Sequence, residues 1–351
     1  MMSEYTVAVL GATGLVGQRL IDILEERNFP VKTLKPLASK RSVGSTVKFH
    51  GQDVPVEEAL PEAFEGVDIV LASAGGAISE KLAPEAVKRG AVVIDNTSHF
   101  RLHSDVPLVV AGVNDDALKN HQGIIANPNC STAQLMQGLK DRHEAAGLTR
   151  VIVSTYQSVS GAGKEAMDEL KDCTSHALSQ PDCAPSRNDI FTRPIGFNLI
   201  PHIDSFVTEG DEEGYTKEET KLINETKKIL ALPDLPVTAT AVRVPVMVGH
   251  SEAVTVEFAK PLSPKEASAV LASTPDVVVS QELTDYPTPA DAAGKDPVYV
   301  GRIRKDTSNP ETGLNLWVVA DNLRIGAALN AVRIAEALVK ENLIQRQPAT
   351  A

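Results

Sequence analysis

Tyr5-Thr6-Val7-Ala8-Val9-Leu10 runs without a break into Gly11-Ala12-Thr13-Gly14-Leu15-Val16-Gly17. The first six residues are almost wholly apolar, the pattern of a short strand buried on both faces. Glycines then break the strand, and Gln18–Glu26 continues as an amphipathic helix. Strand, glycine turn and helix in that order present free backbone N–H groups at a helix N-terminus, where a pyrophosphate can approach closely. The spacing is Gly-x-x-Gly-x-x-Gly, so its meaning rests on the strand before it and the helix after it. The N-terminal part therefore reads as a Rossmann-type α/β domain with a parallel sheet that binds a dinucleotide.

The next segments extend that reading. Val31–Ala38 is a second strand, whose end is where an acidic residue would hold the ribose hydroxyls of NAD. The chain instead has Ser39-Lys40-Arg41-Ser42, cations and hydroxyls suited to a 2′-phosphate, so NADP is the expected cofactor. Val67–Ala72 forms a strand ending in Ser73-Ala74-Gly75-Gly76, a turn small enough to lie against a dinucleotide. Pro84–Arg89 is a short crossover helix, and Ala91–Ile94 a strand running into Asp95-Asn96-Thr97-Ser98-His99-Phe100-Arg101. Ligands of open α/β sheets bind beyond strand C-termini, which makes Arg101 a candidate anion anchor. Val106–Val113 is expected to be a further strand.

Asn127-Pro128-Asn129-Cys130-Ser131-Thr132 is the chemical centre of the chain. Ile124-Ile125 lead in as a strand that Pro128 ends, because proline cannot donate to a ladder. Ala133–Met136 and Leu139 lead out at helical spacing. Cys130 thus falls in the first residues of a helix, where unpaired N–H groups and the positive end of the macrodipole favour thiolate over thiol. Flanked by Asn and Ser rather than by packing residues, it reads as a nucleophile.

Beyond it the pattern changes. Val151–Tyr156 is a strand followed by the flexible turn Gln157–Lys164. Residues 175–204, rich in Pro, Asn and Asp, read as a long, partly irregular excursion; Cys173 and Cys183 flank its start without any ligand spacing. Thr216–Leu230 is a helix on which Thr216 and Glu219 fit a capping box. Glu218 and Lys221 share a face there, either as a ligand site or as a plain ion pair. Val237–Met247 alternates with Val242, Val244 and Val246 inward and Arg243 on the other face. The chain is expected to return through Gly249-His250 as Glu252–Phe258, a hairpin with His250 at its tip. His250 is the expected proton-transfer partner of the thiol. Ser263–Glu266 caps a further helix, and strands near Val277–Gln281, Val298–Arg304 and Leu314–Val319 complete a second, mostly antiparallel sheet. A last helix, Ala327–Glu341, returns to close the first domain. The expected division is 1–129 completed by 324–351, and 130–323.

Totals set outer limits. The 351 residues carry a formal charge of −12 and are 42% hydrophobic and 23% charged. That balance describes a soluble globular protein and argues against nucleic acid or an anionic membrane surface as partner. No apolar run approaches the roughly 20 residues of a membrane span, and the N-terminus lacks a signal-peptide layout. Three cysteines without metal-ligand spacing suit a reducing cytoplasm and no metal site.

With these residues in place, the chain resembles the aspartate-semialdehyde dehydrogenase family along essentially its whole length. The resemblance is carried by Gly11–Gly17, Asp95–Arg101, Asn127–Thr132 and Tyr156-Gln-Ser-Val-Ser-Gly161. Glu218-Glu-Thr-Lys221, Arg243-Val-Pro-Val-x-x-Gly-His250 and Asp321-Asn-Leu-Arg324 continue it. It implies that Cys130 becomes an acyl-thioester, that His250 is the acid/base and that Gln157 orients the acyl group. Arg243 would pair with the substrate carboxylate and Glu218 with its ammonium, while Arg101, Asn129 and Lys221 would hold phosphate. Gly11, Thr13, Gly14, Leu15, Val16, Arg41, Ser42, Ser160, Gly161 and Asn322 would line the NADP site, joined by the Ser73–Gly75 turn. It also implies an α+β catalytic and dimerisation domain, in a homodimer or homotetramer. Two departures are Ala111-Gly112, where the family often has Pro-Glu, and His99, where a smaller residue is usual. N-acetyl-glutamyl-phosphate reductase shares the chemistry, but usually has Gly before the cysteine and an aromatic residue after it, unlike Asn129 and Ser131. Glyceraldehyde-3-phosphate dehydrogenase fits the Glu218/Lys221 and Arg243/His250 spacings poorly. A reading from another class is a non-catalytic NADP-binding sensor using Cys130 as a redox switch.

Overall fold

The computed structural model describes residues 4–180 and 189–344, and the chain divides into two compact units, 1–129 with 327–351 and 130–326. Cys183 lies outside the described residues.

The first unit begins with β1 (Tyr5–Leu10), α1 (Leu15–Glu26) and β2 (Val31–Ala38). A small antiparallel hairpin follows, β3 (Thr46–Phe49) with β4 (Gln52–Pro55), then a two-residue strand β5 (Glu57–Glu58). Next come β6 (Ile69–Ala72), α2 (Gly76–Lys88), β7 (Val92–Asp95) and β8 (Ile124–Ala126). The six-stranded sheet has the order β5-β2-β1-β6-β7-β8, and every pairing in it is parallel. Val7, Val9, Ile69, Leu71, Val93 and Ile94 are essentially inaccessible, as burial on both faces requires. Gly11 sits at φ +89°, and a Cβ there would lie 2.6 Å from the Ser73 carbonyl oxygen; one on Gly17 would lie 2.1 Å from the Gly11 oxygen. Gly17 lets α1 press onto the turn that precedes it, and Gly11 lets that turn lie against the Ser73 backbone.

The second unit contains α3 (Cys130–Ala146), β9 (Leu148–Gln157), α4 (Lys164–Ser179) and α5 (Lys217–Ile229). Then follow β10 (Val237–Arg243), β11 (His250–Phe258), α6 (Pro264–Ala272) and β12 (Val277–Val279). The one-turn α7 (Pro289–Ala292), β13 (Val298–Lys305) and β14 (Gly313–Ala320) complete it. Its sheet has the order β10-β9-β11-β14-β13-β12. The three central pairings are antiparallel and the two outer ones parallel, so the sheet is mixed. After a π-turn at Arg324–Ala328, α8 (Leu329–Lys340) belongs to the first unit. There Arg27, the C-terminal cap of α1, makes a two-pronged ion pair with Glu336 at 2.7 and 2.8 Å.

Four sequence expectations are corrected. Residues 106–113 form no strand; Leu108 makes only an isolated bridge to Ala126. The ladder is pre-empted by side chains, because Val110 N donates to Asn114 Oδ1 and Ala111 N to Asn330 Oδ1. The crossover helix is not confined to Pro84–Arg89 but starts at Gly76, with Pro84 inside it; proline's preference for a first helical turn misplaced its start. β10 and β11 are not a hairpin, since β9 lies between them, parallel to β10 and antiparallel to β11. Finally, the β10 face carrying Arg243 is the buried one, with Ala239 and Ala241, whereas Val242 is only half-buried. Of the 175–204 excursion, residues 175–179 belong to α4, and the described part from 189 onward is largely irregular.

Candidate active site

In the second unit, the sheet lays the chemically loaded residues out in one row. Arg243 on β10 is the cross-strand partner of Gln157 on β9. On the other side of β9, Ser251 opposes Tyr156, which brings His250 level with Gln157; His250 in turn pairs with Ala320 of β14. Residues two apart on a strand share a face, so the next row holds Ala241, Thr155, Glu252 and Val318. Alternation thus concentrates Arg243, Gln157 and His250 at one end of a face whose deeper rows are mostly apolar.

Each member of the row is held by a distinct contact. Gln157 Nε2 donates to Glu218 Oε1 at 3.0 Å, and its Oε1 accepts from Thr155 Oγ1 at 3.0 Å. Arg243 Nη1 donates to the Ser158 carbonyl at 2.7 Å, and the guanidinium carbon stands 6.0 Å from the Phe191 ring centroid. Burial pulls the Arg243 pKa down, while Glu218 and Cys130 pull it up. Arginine stays charged against such losses, so it presents a desolvated cation near the thiol. Glu218 is buried, and Lys221 Nζ bridges it to Asp204 at 3.1 and 2.9 Å. Burial works against the Lys221 charge, yet the two carboxylates outweigh it and raise its pKa. Glu218 and Lys221 are therefore not a solvated surface pair. Glu219 closes the capping box with Thr216 and also accepts from Ala241 N of β10 at 2.9 Å, fixing α5 against the sheet.

Cys130 is the first residue of α3 and is partly accessible. A Cβ on Gly326 would lie 2.5 Å from Cys130 Cβ, so the π-turn passes close behind it. Gly161 has a similar role in front: a methyl there would sit 3.2 Å from Arg243 Nη1 and 3.4 Å from His250 Nε2. Gly161, expected at the cofactor, thus borders the Arg243–Gln157–His250 row. Ser160 and Asn322, also expected there, hydrogen-bond each other, with Asn322 Nδ2 donating to Ser160 Oγ at 3.0 Å. Cys173 lies in an apolar cluster with Val159, Leu170, Ile195 and Ile200, the setting of an inert structural thiol.

In the first unit, a cleft of about 330 Å³ opens at the C-terminal ends of β1, β2 and β6. Gly11, Thr13, Gly14, Ser39 and Ser73 line it, with Ile78 and Leu82 as an apolar wall. Leu15 and Val16 begin α1 beside it, and Gly75 turns into α2 at φ +93°. Thr13 Oγ1 and Ser42 Oγ are 3.4 Å apart, next to the exposed Arg41. Backbone donors, a helix N-terminus and an apolar wall suit a dinucleotide. Arg101 is buried and held by the Asn127 and Asn96 carbonyls at 2.9 and 2.8 Å. Asn129, also buried, follows Asn127, whose Oδ1 accepts from Asn330 Nδ2 at 2.6 Å.

Residues 6–121 match the semialdehyde dehydrogenase NAD-binding domain, and residues 138–325 match the semialdehyde dehydrogenase dimerisation domain. Aspartate-semialdehyde dehydrogenase of Bacillus subtilis is 53% identical over 347 residues, covering 96% of this chain and 98% of the relative. The chain belongs to the aspartate-semialdehyde dehydrogenase family. Among solved members, aspartate-semialdehyde dehydrogenase II of Vibrio cholerae superposes with a TM-score of 0.92 at 48% identity, covering 97% of this chain and 99% of that one; it has also been solved complexed with ASA. The Candida albicans aspartate-semialdehyde dehydrogenase, solved with NADP, has a TM-score of 0.76 at 27% identity and covers 97% of this chain and all of that one. A family member with this sheet and this cleft is an NADP-dependent oxidoreductase.

Four contributors escaped the sequence reading. Ser158, Glu252 and Asn330 are buried polar residues in or beside apolar segments, a signal that could have marked them; Phe191 had none.

Proposed function

We propose that the chain catalyses the NADPH-dependent reductive dephosphorylation of β-aspartyl phosphate to aspartate semialdehyde, reversibly, through a thioester on Cys130. The observation that carries this reading is the Arg243–Gln157–His250 row, with buried Glu218 hydrogen-bonded to Gln157. Arg243 offers a planar fork to the substrate α-carboxylate. Glu218 receives the α-ammonium, which an N-acetylated glutamyl substrate would lack. Gln157 orients the acyl group between them. Arg101, Asn129 and Lys221 take the phosphate, the two cations offsetting its charge.

The thiolate of Cys130 attacks the acyl carbon, and the C–O bond to phosphate breaks with its electron pair leaving on phosphate. A thioester accepts hydride more readily than a carboxylate, which is the reason for covalent sulfur. Thr13–Val16, Arg41 and Ser42 with the Ser73–Gly75 turn, aided by Ser160, Gly161 and Asn322, would hold NADPH, which would supply that hydride. His250 gives the tetrahedral oxygen a proton and takes it back as the hemithioacetal collapses, reforming the C=O bond of aspartate semialdehyde and returning the thiolate. Residues 1–129 with 324–351 serve as the NADP-binding domain, and 130–323 as the catalytic and dimerisation domain of a homodimer or homotetramer. The setting is cytoplasmic biosynthesis of lysine, methionine and threonine.

The test is a spectrophotometric assay of NADPH formation from aspartate semialdehyde, phosphate and NADP. Phosphate-dependent turnover is expected with this aldehyde and not with N-acetyl-glutamate semialdehyde. The reverse preference, or none, would reject the assignment.

A further inference from the structure

Helix α4 turns Ala166, Glu169, Leu170 and Cys173 to one buried side, the i, i+3, i+4, i+7 spacing of a core face. Three of the four are apolar and pack with Val159, Ile195 and Ile200. Glu169 is the exception, a fully buried carboxyl that burial would penalise without partners. Its partners are three consecutive backbone N–H groups. Asp189 N and Ile190 N donate to Oε2 at 3.0 and 2.8 Å, and Phe191 N to Oε1 at 3.3 Å. Residues 189–193 form neither helix nor strand, so these bonds anchor the backbone from which Phe191 projects. The Phe191 ring packs against the α4 cluster, with the Arg243 guanidinium carbon over it at 6.0 Å. That is within the range at which a ring face attracts a guanidinium. The same segment also grips the Arg243 backbone, because Ile200 and Arg243 exchange N–H bonds at 3.0 and 2.8 Å.

We propose that Glu169 is a positioning residue for Arg243: by anchoring residues 189–191 it holds the Phe191 ring against the guanidinium and so aims the fork at the substrate carboxylate. The inference rests on the carboxylate role proposed above for Arg243 and extends it to a residue on a separate helix. Arginine has a long stem with many rotamers, and a plane already fixed costs less to order when the carboxylate binds. Three contacts fix it here. The Ser158 carbonyl takes an Nη1 proton at 2.7 Å. Gly161 closes the space beside Nη1, where a Cβ would lie at 3.2 Å. These two hold the end of the fork, and the Phe191 ring sets the tilt of its plane. Removing the Glu169 carboxyl would leave three backbone donors buried or re-solvated, release the segment that carries the ring, and let that tilt wander. A carboxyl that served only to tie down a loop would cost stability when lost, and would leave the carboxylate subsite as it was.

The test reads the guanidinium directly, through its reaction with phenylglyoxal followed by peptide mass spectrometry on the full-length protein. Glu169→Ala and Phe191→Leu should each label the Arg243 peptide several-fold faster than wild type, while the peptide containing buried Arg101 keeps its wild-type rate. An unchanged rate at Arg243 in either variant, or a parallel rise at Arg101, would overturn the proposal. In turnover, Phe191→Leu keeps the apolar cluster filled and should raise KM for aspartate semialdehyde about tenfold, the scale of a desolvated cation–π contact, with KM for NADP unchanged. Glu169→Ala should do the same. The double variant should be no worse than Phe191→Leu alone, because Glu169 acts through the ring. Additive losses, or an equal rise in KM for NADP, would refute it. Should the alanine variant fail to fold, Glu169→Gln serves in its place. It keeps an oxygen for Asp189 N and Ile190 N but sets an amide N–H against Phe191 N, so the same pattern should appear at smaller size. The labelling result needs no substrate, so it can fail separately from the aldehyde assignment.

Discussion

The two units prepare ligand sites by opposite means. In the first, the cleft is made of backbone and small side chains at strand ends, and the proposed specificity element is the exposed Arg41 with half-buried Ser42 beside it. In the second, the proposed chemistry rests on buried side chains lined across three strands and clamped by α5. Backbone sites tolerate side-chain change and bind by shape and dipole. A buried row does not, because each truncation leaves a partner desolvated and unpaired. Substitutions in the second unit should therefore cost far more than those in the first.

The sharpest way to break the contrast is Cys130→Ala, which should lower kcat by at least about 10⁴-fold while leaving NADP affinity unchanged in a titration. Activity near wild type would end the covalent route. Next is Arg243→Lys. A point charge cannot reproduce a bidentate fork, and the loss belongs with truncated buried ion pairs at about 2–5 kcal/mol; steady-state kinetics should show a raised KM and a lowered kcat. Arg41→Ala, on the exposed side, should change only the ratio of kcat/KM for NADP over NAD, by about tenfold for one phosphate contact. An effect as large as that at Arg243 would erase the distinction between the units.

Stability offers a fourth, smaller test. Burial raises the Glu252 pKa well above that of a free carboxyl. The folded protein keeps a proton that the unfolded chain releases above about pH 4.5, so this contribution is present at low pH and lost as pH rises through the folded pKa. Glu252→Gln should remove that slope and raise Tm more at pH 8 than at pH 5. His250 has the opposite sign. With a folded pKa of about 3, it destabilises the fold progressively as pH falls below about 6.5, where the unfolded imidazole charges.

The sequence exposed most of what is local. The glycine turn between β1 and α1 is contiguous, and its spacing carries its geometry. Cys130 at the head of α3 was legible for the same reason, since proline before and helical spacing after define the boundary. What it hid is cross-strand. Two apolar segments joined through Gly249 look like a hairpin. In the structure the 244–246 link instead bonds to the end of β9, with Val244 N on the Gln157 carbonyl and Val159 N on the Val246 carbonyl. That non-local pairing carries β11 past β9 and places His250 level with Gln157. The strand expected at 106–113 failed because Asn114 and Asn330 supply the hydrogen bonds a neighbour would have made. The family motifs named Asn322 as a cofactor residue, and only the hydrogen bonds reveal that it ties Ser158 and Ser160 to the Gly249 backbone.

The most direct measurement is intact-protein and peptide mass spectrometry after mixing the enzyme with β-aspartyl phosphate in the absence of reducing nucleotide. The account predicts an aspartyl group attached to the peptide containing Cys130, discharged on adding NADPH. An unmodified Cys130 peptide, from protein shown to be turning over, would contradict it.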